Sequence, residues 1–123
     1  MKKVIFNDFT PIFIQIIEYI KIELITGQKN PGEKLLSVRD LAKNFEINPN
    51  TVQKAYQLLE EEEIIKSERG SGNYITEDIQ KIMAVREEMV EGTTLQFIDK
   101  MKSYGYSSDD IQQIVKKKLE VQI

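Results

Sequence analysis

Three carboxamides and a hydroxyl fall within the six residues Asn48-Pro49-Asn50-Thr51-Val52-Gln53. A carboxamide presents a donor and an acceptor side by side, the pattern that matches a nucleobase edge, adenine above all. Lys54 follows at once, and Lys66 precedes the run Arg69-Gly70-Ser71-Gly72. A cation on a glycine-rich tip can reach a phosphate or the floor of a minor groove. This is recognition chemistry rather than bond-making chemistry. The chain holds no cysteine and no histidine. Disulfides, thiolate and imidazole metal sites and the commonest general base are therefore excluded. No phosphate-loop pattern occurs. Neither an enzyme nor a cofactor nor a metal is expected.

The elements that would position these residues can be read from caps and periodicity. Thr10 can cap a first helix with Pro11 at its first position. Ile12, Phe13, Ile16, Ile17, Ile20 and Leu24 recur on one face, and Gly27 suits the stop. Residues 28–36 form a loop through Pro31-Gly32, with Lys34 to Leu36 extended. Ser37 with Asp40 makes a capping box for a short second helix, and Leu36 with Leu41 a hydrophobic staple. Leu41, Ala42 and Phe45 face inward. Glu46-Ile47 turns the chain, Asn48 caps a third helix, and Pro49 takes its first position. Val52, Ala55, Tyr56 and Leu59 give that helix its buried face. Two short capped helices joined by a tight turn predict a helix-turn-helix. Ile64 to Ser67 and Asn73 to Ile75 then read as two strands around the Glu68–Gly72 turn, which is a wing.

Residues 77–104 carry a long helical pattern. Ile79, Ile82, Met83, Met89, Val90, Phe97, Met101 and Tyr104 keep nearly a 3.5-residue rhythm. The stripe stays in phase across Gly92, which predicts one helix ended by Gly105. Ser107 and Asp110 form a capping box for a last helix marked by Ile111, Ile114, Val115 and Leu119. Met83, Met89 and Met101 read as packing for a dimer core rather than a small-molecule box. The fold class expected is mainly α with a small β-hairpin. Residues 1–76 would be a winged helix-turn-helix domain and residues 77–123 a two-helix dimerisation tail. The longest apolar stretches are too short to span a bilayer, and the basic N-terminus has no signal core behind it. A cytoplasmic protein without membrane contact is expected.

Residues 10–76 resemble the GntR family of bacterial regulators. The resemblance rests on Pro11 to Ile16, Pro31-Gly32-Glu33-Lys34-Leu35, Ser37-Val38-Arg39-Asp40-Leu41-Ala42, Asn48-Pro49-Asn50-Thr51-Val52, Ala55-Tyr56 and Arg69-Gly70-Ser71-Gly72, in the family's order and spacing. The short two-helix tail is similar to that of the YtrA subfamily. Two positions depart from the pattern: Leu36 stands where the family has proline, and Glu63 where it has glycine. Neither touches the expected DNA face.

The resemblance implies a DNA-binding transcription regulator, a homodimeric repressor of a transporter-type operon on a pseudo-palindromic operator. It places Arg39 at the DNA, where a planar guanidinium serves guanine or phosphate. The plainer reading of Arg39 is a surface ion pair with Asp40 or Glu33. The expected DNA-binding set is Arg39, Asn48, Asn50, Thr51, Gln53, Lys54, Lys66, Arg69 and Gly70, with Lys43 a further phosphate partner. Glu60 to Glu63 form an acidic run read as a solvated end held away from DNA. The net charge of −3 favours a rival of another class, a winged-helix protein-interaction module without DNA binding. The polar recognition face and the cationic wing oppose it. No effector is identified by the sequence.

Overall fold

The structure, a computed structural model, describes residues 6–121. Its elements run in the order α1 (Ile12–Ile25), α2 (Val38–Phe45), α3 (Pro49–Glu61), β1 (Ile65–Glu68), β2 (Gly72–Ile75), α4 (Ile79–Ser103) and α5 (Ser108–Val121). They divide into two compact units, Met1–Val85 and Arg86–Ile123. The division expected after Thr76 falls between β2 and α4.

In the first unit α3 is the hub, packing on α1, α2 and β1. Its apolar positions Val52, Ala55, Tyr56 and Leu59 are all buried, against a core that includes Ile16, Ile20 and Leu24 of α1 and Leu41 and Ala42 of α2. Each buried valine, leucine or isoleucine among them contributes about 1.5–3 kcal/mol by leaving water. Ile64, Ile65 and Ile75 close the core from the hairpin side. Ile12, expected on the buried face of α1, is exposed instead, since it lies at the first helical residue. Phe45 is half-buried and takes Phe6 and Tyr19 edge-on, with ring centroids 5.6 and 5.3 Å away.

Local chemistry sets the element ends. Thr10 does not cap α1. Pro11 occupies the cap position, and the Gln15 carboxamide donates to the carbonyls of Asn7 and Thr10. Ser37 accepts from the Asp40 N–H at 3.1 Å, and Asn48 from the Asn50 N–H at 2.8 Å. Ser107 and Asp110 bond reciprocally, each at 3.1 Å, completing the capping box at α5. The Ser107 backbone N–H, and after it the Ser107 side chain, holds the Asp110 carboxyl below the usual carboxylate range. Asp78 starts α4 by accepting from the N–H groups of Gln80 and Lys81, two residues later than the periodicity suggested. The helix then runs unbroken through Gly92.

Three helices stop in the same way. At α2 the cap itself, and at α3 and α4 the residue past the cap, enters the left-handed region, and two backbone bonds wrap the last carbonyls. After α3, Glu63 N–H donates to the Glu60 carbonyl and Ile64 N–H to the Leu59 carbonyl, both at 2.9 Å. Ile64 and Leu59 are buried, which supplies the hydrophobic contact of this motif. Gly105 fills the left-handed position after α4, but Glu46 and Glu63 fill it after α2 and α3, with φ of 55° and 62°. A side chain there costs about 1 kcal/mol relative to glycine.

The hairpin pairs β1 and β2 antiparallel, with Ile65 opposite Ile75, Lys66 opposite Tyr74 and Glu68 opposite Gly72. Ser71 N–H closes the turn on the Glu68 carbonyl at 2.9 Å, with Gly70 at φ 76° in the position where this turn needs a positive value. Residues 32–35 add a partial third strand on β2 through Lys34 and Tyr74, so the extended reading of Lys34 and Leu35 matches. Within the described residues no helix is long and apolar enough to cross a membrane.

Replacing Glu63 by glycine is expected to raise stability by about 1 kcal/mol, with Glu46→Gly acting likewise, because the left-handed strain disappears. Urea unfolding of the two variants measures this; a lower midpoint for Glu63→Gly would place the cost elsewhere.

Candidate nucleic-acid interface

The faces of α3 are sharply divided. Val52, Ala55, Tyr56 and Leu59 point into the core, while Asn50, Gln53, Lys54 and Gln57 are exposed. Burial of one stripe therefore fixes which residues remain on the other. Thr51, half-buried, lies between them. Tyr56 adds a directional bond: its hydroxyl donates to the Leu36 carbonyl at 2.6 Å. Leu36 immediately precedes the Ser37 cap, so this bond ties the start of α2 to the middle of α3. Arg39 sits in the first turn of α2, and Asn50 in the first turn of α3. Burial, and after it the charge of Glu23, pushes the Tyr56 phenol well above its ordinary range, so it remains a donor at any physiological pH.

The side chains of Arg39, Gln53, Lys66 and Arg69 are exposed and make no hydrogen bond or ion pair among the described residues. The plainer reading of Arg39 is thus not what the structure contains. Glu33 pairs with Lys29 at 3.4 Å, and its carboxylate also caps the Asn30 N–H. That backbone bond, first among the causes, lowers the Glu33 pKa. Arg69 and Gly70 form the exposed tip of the hairpin, and Lys66 lies on β1.

Two members of the expected set carry structural work. Asn48 spends its side-chain oxygen on the cap of α3, leaving only its amide hydrogens for a partner. Lys54 holds its ammonium 4.0 Å above the centroid of the Phe13 ring on α1, a cation–π contact. Periodicity offered no sign of that contact, because it joins residues far apart in sequence. The same holds for the Tyr56 bond and for the Lys34 side chain, which lies against Gly72 on the wing. Beside the hairpin an open crevice of mixed charge is lined by Glu60, Glu63, Lys66, Tyr74, Glu77 and Lys81, among others.

Residues 14–75 match the bacterial regulatory proteins of the gntR family. The chain belongs to the GntR family. It is 30% identical to the HTH-type transcriptional regulator YhcF of Bacillus subtilis over 90% of this chain and 92% of that one. It is 43% identical to the HTH-type transcriptional repressor YtrA of the same organism, over 76% of this chain and 67% of the relative. A GntR family transcriptional regulator from Listeria monocytogenes superposes with a TM-score of 0.86 at 45% identity, covering 91% of this chain and 98% of that one. The match to YtrA supports the YtrA-like branch. This GntR chain is therefore a DNA-binding transcription regulator and not an enzyme, and the winged helix-turn-helix is its DNA-binding fold.

The double duty of Asn48 gives a test that separates folding from recognition. Asn48→Ala should cost about 1 kcal/mol of stability, while Asn48→Asp, which keeps the accepting oxygen, should retain it. Thermal melts of both variants decide the point; equal losses would mean that the cap contributes nothing.

Proposed function

We propose that this GntR regulator is a cytoplasmic homodimeric repressor that reads a pseudo-palindromic operator with α3 and the wing. The observation that carries the reading is the set of exposed, unpaired polar and cationic side chains at the start of α2, the start of α3 and the hairpin. Asn50 and Gln53 are the base readers, because their carboxamides stand on the first turns of the helix that enters a major groove in this fold. Thr51 and Asn48 assist there, Asn48 through its amide hydrogens alone. Arg39 serves a base or a phosphate from α2. Lys54 and Lys66 contact phosphates, and Arg69 with Gly70 reaches the minor groove or the backbone beside it. A net charge of −3 does not oppose this reading, because contact depends on where cations sit.

The dimer assignment rests on the helices after the wing. Among the described residues of α4 and α5 only Val85 and Ile111 are buried. Val90 and Phe97, seven apart on α4, and Tyr104, seven further on and just past its end, are 57%, 42% and 62% exposed. Seven-residue spacing returns to the same side of a helix, so these residues form one apolar seam suited to a second copy. A two-fold dimer would then present two recognition helices to two half-sites. Likeness to a relative described as a repressor supports repression, and a transporter-type operon is the target that the subfamily resemblance implies.

Two measurements test this. Duplexes captured from genomic fragments, and random duplex, would be titrated at several salt concentrations with Asn50→Ala, Gln53→Ala and Lys66→Ala. Asn50→Ala and Gln53→Ala should each lose roughly 1–3 kcal/mol of discrimination at particular base pairs. Lys66→Ala should weaken all duplexes alike and flatten the salt dependence. Unchanged discrimination in both amide variants would remove α3 as the reader. Separately, Val90→Asp with Phe97→Asp should sediment as a monomer and bind the captured duplex weakly; a dimer in that variant rejects the seam.

A further inference from the structure

The wing is wider than the two strands of its hairpin. Gly32 N–H donates to the Ile75 carbonyl at 3.0 Å, Ile75 N–H to the Glu33 carbonyl at 2.9 Å, and Leu35 N–H to the Asn73 carbonyl at 2.8 Å. Lys34 is thereby set beside Tyr74, which on its other side stands opposite Lys66. Residues directly opposite in an antiparallel ladder share a face of the sheet. Lys34, Tyr74 and Lys66 therefore form one cross-strand row, on the face opposite the buried Ile65 and Ile75.

Gly72 determines where the Lys34 chain goes. A Cβ built on Gly72 would stand 2.9 Å from the Lys34 Cε and 3.7 Å from its Nζ. The lysine stem thus lies in the space that a side chain at position 72 would fill, directed along β2 toward the turn that carries Arg69. Gly72 has a φ of 141°, so glycine is favoured there by its backbone as well. Glu68 stands opposite Gly72, yet Lys34 makes no ion pair with it or with any other carboxylate among the described residues. An exposed ammonium is held over the wing without a partner among the described residues. Beside it the hydroxyls of Ser71 and Tyr74 hydrogen-bond each other, which leaves one O–H of the pair to donate outward.

We propose that Lys34 is a further phosphate-binding residue, held by the slot at Gly72 so that the wing meets the DNA backbone with Lys34, Lys66 and Arg69 together. The proposal rests on the DNA-binding reading above and adds to it a contact from outside the hairpin. A lysine offers a phosphate a point charge and donors without base preference. Its signature is therefore the salt dependence of binding rather than sequence choice.

The test uses the full chain with a random-sequence duplex and with a captured genomic duplex. Each phosphate contact contributes about 0.9 to the slope of log affinity against log salt. Lys34→Gln should weaken both duplexes several-fold, by the same factor, and make the slope shallower by about 0.9. Lys34→Arg should keep the wild-type slope, and Lys34→Gln with Lys66→Gln should lose about 1.8. Thermal melts should be unchanged, since Lys34 is exposed. A Lys34→Gln slope equal to wild type, with wild type binding duplex normally, overturns the proposal and leaves the DNA reading intact. A Lys34→Gln loss confined to the captured duplex overturns it too, since it assigns a base contact. Failure of the wild-type chain to bind either duplex overturns both.

Discussion

The bond from the Tyr56 hydroxyl to the Leu36 carbonyl is the constraint on which the recognition surface depends. Hydrophobic burial can bring α2 and α3 together, but it is non-directional and leaves their relative rotation loosely set. A buried phenol needs a partner, and it finds one in the backbone just ahead of the α2 cap. That single bond refers the first turn of α2 to the body of α3. Arg39 and Asn50 are placed by it although neither touches it. Glu23 contributes to keeping the phenol protonated, second to burial. The supports of the interface lie behind it, in the core.

A second constraint acts at the helix ends. Short helices such as α2 have few internal bonds, so their termini carry a large share of the free energy. Ser37 and Asn48 cap the two N-termini, and the wrapped stops at Glu46 and Glu63 finish the C-termini. The stop at Glu46 makes the turn into α3 tight, and the stop at Glu63 sends the chain directly into the wing through buried Ile64. Strain at two glutamates is tolerated because each wrapped end satisfies carbonyls that would otherwise be unpaired.

Much of this was legible in the sequence. The capping residues Ser37, Asn48 and Ser107, the buried stripe of α3, the hairpin and the continuity of α4 follow from side-chain type and period, which are local properties. The left-handed Glu63 was legible only through the resemblance, as a position where glycine is usual. Glu46 was legible as a turn but not as a left-handed one, because glutamate carries no local signal for that conformation. Contacts across sequence distance were not legible at all. Phe13 over Lys54, Lys34 in the slot at Gly72 and Tyr56 on Leu36 depend on how the elements pack. The cap of α1 was misplaced by one residue: Pro11 takes the cap position with no side-chain bond to the helix N–H groups, and the Gln15 carboxamide donates back to the Thr10 carbonyl.

The acidic balance of the chain acquires meaning from where its charges lie on α3. Glu60 to Glu63 crowd the C-terminal end, where the helix dipole already places negative potential, so this end is electrostatically costly. Part of the cost is relieved by Lys21 of α1, which pairs with Glu62 at 3.4 Å, and part because Glu63 leaves the helix. The N-terminal end has the opposite character. It has a positive dipole, no acidic residue in its first turn and neutral amides on its exposed face. In the proposed complex a duplex is drawn to that end and repelled from the other. The same net charge that argues against a nucleic-acid partner when spread over the chain thus helps decide which end of the recognition helix enters the groove.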